Sequence, residues 1–355
     1  MRAVAVAAVA CVAAVSACTT TATTSQPPLV ILPTGAALSA PGAMPAYYVV
    51  VAGPEVVVRA SAGGRVTGSI RIPGASGLGR TYVAAEAFGG ADDRHFVIVA
   101  SRYGDLPGVA DVTLFLLNLS PDGRPGPLRQ LDFDNMGMPV IGAALSPDGT
   151  TLALSLAQEF LPPVYGKVEL LNVPTGKTRT WTAQAASGYW PGVPAWAGDG
   201  TVLVPWWHST SQGMNPADIT GVRELDVAAP GRSLLGAPLV AFPAPAQSLD
   251  SAVVTPGGSD LIASSCQTAR HAATARITEL SVSDGRLVQV LRTQTTRFGN
   301  DADAMDAAFS QCQVLSAADS AHVLVQAFTL GRIDNGTFTQ LPGASPDVLP
   351  VSAAW

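Results

Sequence analysis

Side chains able to do chemistry are spread thinly along this chain, and the densest group is aromatic. Tyr189-Trp190 and Trp206-Trp207-His208 flank an Asp199-Gly200 turn signal, so one hairpin would bring these rings together. Aromatic faces beside a polar rim suit sugar stacking or a protein hot spot, and the same rings suit plain packing inside a buried sheet. Tyr103, Tyr165, Arg270, His271 and Arg297 join Tyr189, Trp190, Trp207 and His208 as candidate binding residues, because all fall in stretches that read as long connections.

Carboxylates are the next group. Asp132 and Asp134 beside Asn135, and Asp301 and Asp303 beside Asn300, offer hard oxygen ligands of the kind calcium takes. Neither pair is followed by the glycine and glutamate of an EF-hand loop, and solvated turn acids are the plainer reading. Calcium is thus the one ion considered, and no cofactor is expected. His95, His208, His271 and His322 stand singly, without zinc spacing. Gly176-Lys177-Thr178 ends like a phosphate-binding loop, but the glycine required five residues before Gly176 is Leu171. No Gly-x-Ser-x-Gly nucleophile elbow occurs.

The elements that must carry these residues are strands. Ala144-Leu145, then Ser146-Pro147-Asp148-Gly149, then Thr150 to Leu154 reads as an apolar run, a tight turn and a second apolar run. Pro147 presets φ, Ser146 and Asp148 can hydrogen-bond local backbone, and Gly149 closes the turn. Both flanks lack polar alternation, as in a strand buried on both faces. Degraded cognates begin at Ala87, Ala195, Val253 and Val314, giving spacings of 57, 51, 58 and 61 with Ala144 included. Each unit continues with two further strands, as in 166–172, a Pro174-Thr175-Gly176-Lys177 turn, and 178–183. Four short strands per unit at this period is the signature of a β-propeller.

The Leu145-Ser146-Pro147-Asp148-Gly149-Thr150 run with Leu152-Ala153, paired with Val173-Pro174-Thr175-Gly176-Lys177, resembles the WD-repeat-like, YVTN and TolB-like propeller superfamily. The likeness extends over most of residues 46–355, with one repeat matching well, and it implies a scaffold for binding rather than any single activity.

Before Ala87 only three strands are legible, at 46–52, 54–61 and 65–72, and the C-terminal Leu349-Pro350-Val351-Ser352-Ala353-Ala354-Trp355 resembles the inner strand at Val193-Pro194-Ala195-Trp196. A blade shared by the two ends of the chain completes the ring and removes exposed edges. The expected fold is therefore all-β, a single six-bladed propeller over 46–355, with seven blades as the alternative. Numbering strands A to D outward from the axis, the A–B and C–D turns look tight. The B–C and D–A connections look long, which points to their face as the binding surface.

Arg2, an apolar run from Ala3 to Val15, and Val15-Ser16-Ala17-Cys18 look like a bacterial lipoprotein signal peptide over 1–18, with Cys18 as the lipidated residue. An ordinary signal peptide or a short anchor is the alternative. Residues 19–45, uncharged and rich in Thr, Ser, Pro and Ala, read as a flexible tether. The expected location is thus the outer face of the cell membrane. Export leaves Cys266 and Cys312 as one potential disulfide, with two free buried thiols as the alternative.

Charged residues are 13% of the chain against about 25% in typical soluble domains. Net charge is −6 with no basic run, so nucleic acid is not an expected partner. The leading expectation is a monomeric, non-catalytic module that binds an extracytoplasmic protein, peptide or glycan. A metal-assisted hydrolase or lyase working at the axial channel is the alternative, and a purely structural envelope protein is a third.

Overall fold

The computed structural model describes residues 43–74, 82–90, 92–103, 110–133, 137–157, 166–183, 188–198, 200–208, 218–242, 249–269, 271–297, 312–342 and 352–355. All regular structure among them is strand, apart from one 3-10 turn at Leu234–Gly236. In chain order, β1 (Tyr47–Ala52), β2 (Glu55–Ala60) and β3 (Val66–Arg71) form an antiparallel meander. The next two meanders are β4 (Tyr82–Gly89), β5 (His95–Tyr103), β6 (Ala110–Asn118) and β7 (Arg129–Gln130), then β8 (Val140–Leu145), β9 (Thr151–Ala157), β10 (Gly166–Asn172) and β11 (Thr178–Thr182). A five-stranded unit follows, with β12 (Tyr189–Pro191) and β13 (Ala195–Trp196) both paired to β14 (Thr201–His208), then β15 (Asp218–Asp226) and β16 (Leu239–Ala241). The last two full units are β17 (Ser251–Val254), β18 (Asp260–Ala269), β19 (Ala272–Ser281) and β20 (Leu287–Arg297), and β21 (Cys312–Ala317), β22 (His322–Ala327), β23 (Leu330–Asp334) and β24 (Thr337–Gln340).

The final strand, β25 (Ser352–Ala354), returns to pair with β1, giving the order β25-β1-β2-β3 in the first blade. Six sheets thus make a six-bladed propeller with the first and last described strands sharing blade 1, as the sequence predicts.

Six apolar clusters hold the ring, one for each pair of adjacent blades. Strand alternation builds them: Leu261 and Ala263 face blade 4, while Ile262 between them faces blade 6. Near the axis, where inner strands converge, small residues are required. A Cβ on Gly89 of blade 2 would overlap the Trp355 carbonyl oxygen of blade 1. Polar bonds also pass from blade to blade at this radius. Ala87 N–H donates to Ser352 Oγ (3.0 Å), Trp196 Nε1–H to the Ala144 carbonyl (3.0 Å), and Val314 N–H to Ser251 Oγ (2.7 Å).

The Ser146–Gly149 turn folds as read from its residues. Gly149 N–H donates to the Ser146 carbonyl (2.8 Å), Ser146 Oγ–H donates to Asp148 (2.6 Å), and Gly149 adopts a φ of +70°. Two connections, 267–274 of the B–C set and 184–193 of the D–A set, read as long from the sequence and are shorter in the structure. The 267–274 stretch is not a long loop: β18 and β19 run on to Ala269 and Ala272, leaving a two-residue turn. Gln267 and Thr268 are exposed on one arm of an extended hairpin and Thr274 is partly so on the other, and with only small alanines between them no large apolar side chain marked the stretch as strand. Tyr189–Pro191 is likewise a strand, paired with Trp206–His208.

Candidate functional site

The innermost strands of all six blades enclose an axial cavity of about 530 Å³, opening on the face that carries the A–B turns. Its wall is largely apolar. Phe88, Leu145, Trp196, Val253, Leu315 and Trp355 come one from each blade. The size falls in the range of small-molecule pockets, and a mostly apolar wall with few polar groups is their usual chemistry. Ala43 and Pro45, just ahead of the first strand, also line the mouth, and Ala46 N–H donates to Asp93 Oδ2 at the rim (2.6 Å).

Three carboxylates, Asp92, Asp93 and Asp319, supply the charge of the lining. They come from the A–B turns of blades 2 and 6, which flank Trp355 of blade 1. Asp92 accepts from the backbone N–H groups of Arg94 (3.0 Å) and His95 (2.9 Å), and His95 Nδ1 lies 2.7 Å from both carboxylate oxygens. Burial resists its ionisation, but the His95 ring and these N–H groups outweigh that and hold the carboxyl below the usual range. Blade 6 repeats the device, with Asp319 accepting from Ala321 N–H and His322 N–H and lying 2.8 Å from His322 Nδ1. His322 Nε2 is also 3.4 Å from Asp334. These two Asp-x-x-His turns were visible as spacings, but histidines counted singly did not reveal them.

At the other end of the inner strands, Asp250 precedes β17 and was not singled out by the sequence. Desolvation pushes its carboxyl up to about 6, against a lowering bond from Cys266 N–H. Nothing in its local sequence separates it from an ordinary turn acid. Cys266 and Cys312 beside it form a disulfide that ties β18 of blade 5 to β21 of blade 6.

The aromatic expectation requires correction. Trp190 and Trp207 are 3% and 6% exposed and pack in the apolar cluster between blades 4 and 5, so they are core rather than rim. The pairing of Trp190 with Trp207 turns both rings to one face of blade 4, and that face is covered by blade 5. Tyr189 lies on the other face, stacked on Trp206 with ring centroids 5.9 Å apart. It keeps partial exposure beside His208, at a ring separation of 4.2 Å. His271 and Arg297 are both exposed at the end of the extended blade-5 hairpin, where Arg297 pairs with Ala272. Asp132 is exposed and lies beside Gly176 in the outer C–D turn of blade 3, away from the axis. Tyr103 ends β5, and its side chain lies outside the described residues, as do Tyr165, Arg270, Asp134, Asp301, Asp303 and Cys18. Among the described residues, no three or more His, Cys, Asp or Glu side chains gather where they could hold a metal.

No model of a known protein family matches the sequence, and no curated protein matches it. Solved structures do show likeness. The β-propeller domain of Cps50 (Swd1) from Myceliophteria thermophila is 13% identical, with a TM-score of 0.42 over 79% of this chain and 76% of that one. An oligogalacturonate lyase in complex with manganese is also 13% identical, with a TM-score of 0.42 over 81% and 70% of the two chains. Hydrazine synthase from Kuenenia stuttgartiensis is 11% identical, with a TM-score of 0.37 over 82% and 90%. Likenesses this distant carry no inference about activity, and the assignment of the fold rests on the sheet pairing itself.

Proposed function

We propose that this protein is a lipid-anchored, extracytoplasmic propeller that acts as a non-catalytic binding module, with a small molecule or the end of a peptide as its ligand. The observation that carries this reading is the axial cavity, to which every blade contributes an apolar or small side chain. The proposed site therefore lies at the tight-turn mouth, opposite the long-loop face that loop lengths alone favour. Anchoring through Cys18 and export rest on the sequence of residues 1–18.

Native mass spectrometry of the protein extracted from membranes tests the site. A co-purifying molecule is expected in the unmodified protein and not in Ala317→Trp, which fills the cavity from blade 6. Retention of that molecule by Ala317→Trp would place binding elsewhere. Cys18→Ser is expected to move the protein from the membrane to the soluble fraction.

A further inference from the structure

We propose that the axial cavity selects a ligand with an apolar body and a single cationic group, an alkylammonium or alkylguanidinium, whose charge lies between the A–B turns of blades 2 and 6. This inference rests on the cavity being the binding site and adds the chemical class of what it takes.

The argument is one of asymmetry. The cavity has sixfold construction but its charge does not. Asp92, Asp93 and Asp319 all belong to the two blades beside Trp355, and among the described residues the lining contains no lysine or arginine, Arg94 lying outside it at 3.9 Å from Asp93. Across the mouth, blades 3, 4 and 5 present Pro147, Gly198 and Pro256 at the corresponding turns. One half of the rim is thus anionic and the other half apolar. The acids are not free to swing away, because Asp92 and Asp319 are fixed by backbone N–H groups and by the histidines three residues on, and Asp93 is held by Ala46 N–H. Their side chains are between 11% and 30% exposed, so their field acts in a partly desolvated mouth where screening is weak. An anionic ligand would meet only repulsion at the rim. A neutral one would gain burial but no attraction to the carboxylates beyond the partners they already have in the protein.

Three ligands of one length separate these terms: octylammonium, octanol and octanoate, titrated calorimetrically into the full-length protein. The expected order is octylammonium tightest, octanol roughly tenfold or more weaker, and octanoate without measurable binding. The octylammonium advantage is expected to shrink with added salt and to shrink severalfold in Asp93→Asn/Asp319→Asn, in which Asp92 alone keeps its charge, the amide oxygens still accept the turn N–H groups and octanol binding is kept. Ala317→Trp should lose all three. Equal binding of the three ligands would overturn the cationic class while leaving the cavity as a site, and binding of none would overturn both. Persistence of octylammonium binding in Ala317→Trp would place the cation outside the cavity and refute the inference. If the double variant does not fold, the ligand order in the unmodified protein decides.

Discussion

The interface between blades 2 and 3 and the seam between blades 6 and 1 perform the same structural task with unequal means. Among the described residues the first buries sixteen apolar side chains, with Leu152, Leu154 and Leu156 of β9 inserted against Val97, Val99 and Leu114 of blade 2. The second buries seven, and the closing segment 352–355 supplies only Ala353 and Trp355 to that cluster. The seam also holds polar atoms without partners, Tyr48 Oη and Trp355 Nε1. Burial raises the Tyr48 phenol, while Arg59 and Arg332 oppose it. Continuous chain can build an interface slowly from long strands, whereas a ring must be shut by whatever the last few residues provide. The seam should therefore be where the ring opens first.

The strongest way to break that comparison is to remove residues 352–355. Loss of the pairing with Val49–Val51 and of the Trp355 side chain should cost more than about 5 kcal/mol and abolish a cooperative melt in circular dichroism. A retained cooperative melt would show that closure is dispensable. Reduction of Cys266–Cys312 tests the neighbouring joint. The bond closes a 46-residue separation, worth about 4 kcal/mol in the chain-entropy model, and the melting temperature should fall accordingly. Leu154→Ala in the well-packed interface should cost about 3 kcal/mol by cavity formation, read by chemical denaturation. Native-state hydrogen exchange sharpens the contrast, because amides of β1 and β25 should exchange before those of β9.

Asp250→Asn gives the smallest effect and the opposite sign. The folded-state pKa of Asp250 lies above its unfolded value of 3.8, at about 6, so the native chain binds the extra proton and stability declines as pH rises from about 4 to 6. The amide removes that loss while still accepting Cys266 N–H. The variant should be more stable by about 1 kcal/mol at pH 7, after discount for solvent screening, and equal to the parent below pH 4. An advantage that persists at pH 3 would refute the assignment.

Much of the fold was legible because its signals are local. Ser146-Pro147-Asp148-Gly149 specifies its turn with its own side chains, and the likeness of the C-terminal stretch to Val193–Trp196 announced the closing strand. The cavity was not legible, since its wall joins Phe88, Leu145, Trp196, Val253, Leu315 and Trp355, which are brought together only by the ring. Loop length pointed to the opposite face for the same reason: length is visible in sequence, and convergence of short strands is not. Trp190 and Trp207 misled because a ring next to a turn signal looks exposed until the neighbouring blade is in place.

Ala46 leaves the propeller at the cavity's doorway, fastened to Asp93. Under the proposed anchoring the threshold becomes a mechanical fixture: tension along the upstream chain would load the Ala46–Asp93 and Ser61–Ala46 bonds before it reached β1, and a guest crossing the sill would brush Ala43 and Pro45. Pulling and filling thus address the same corner of the molecule.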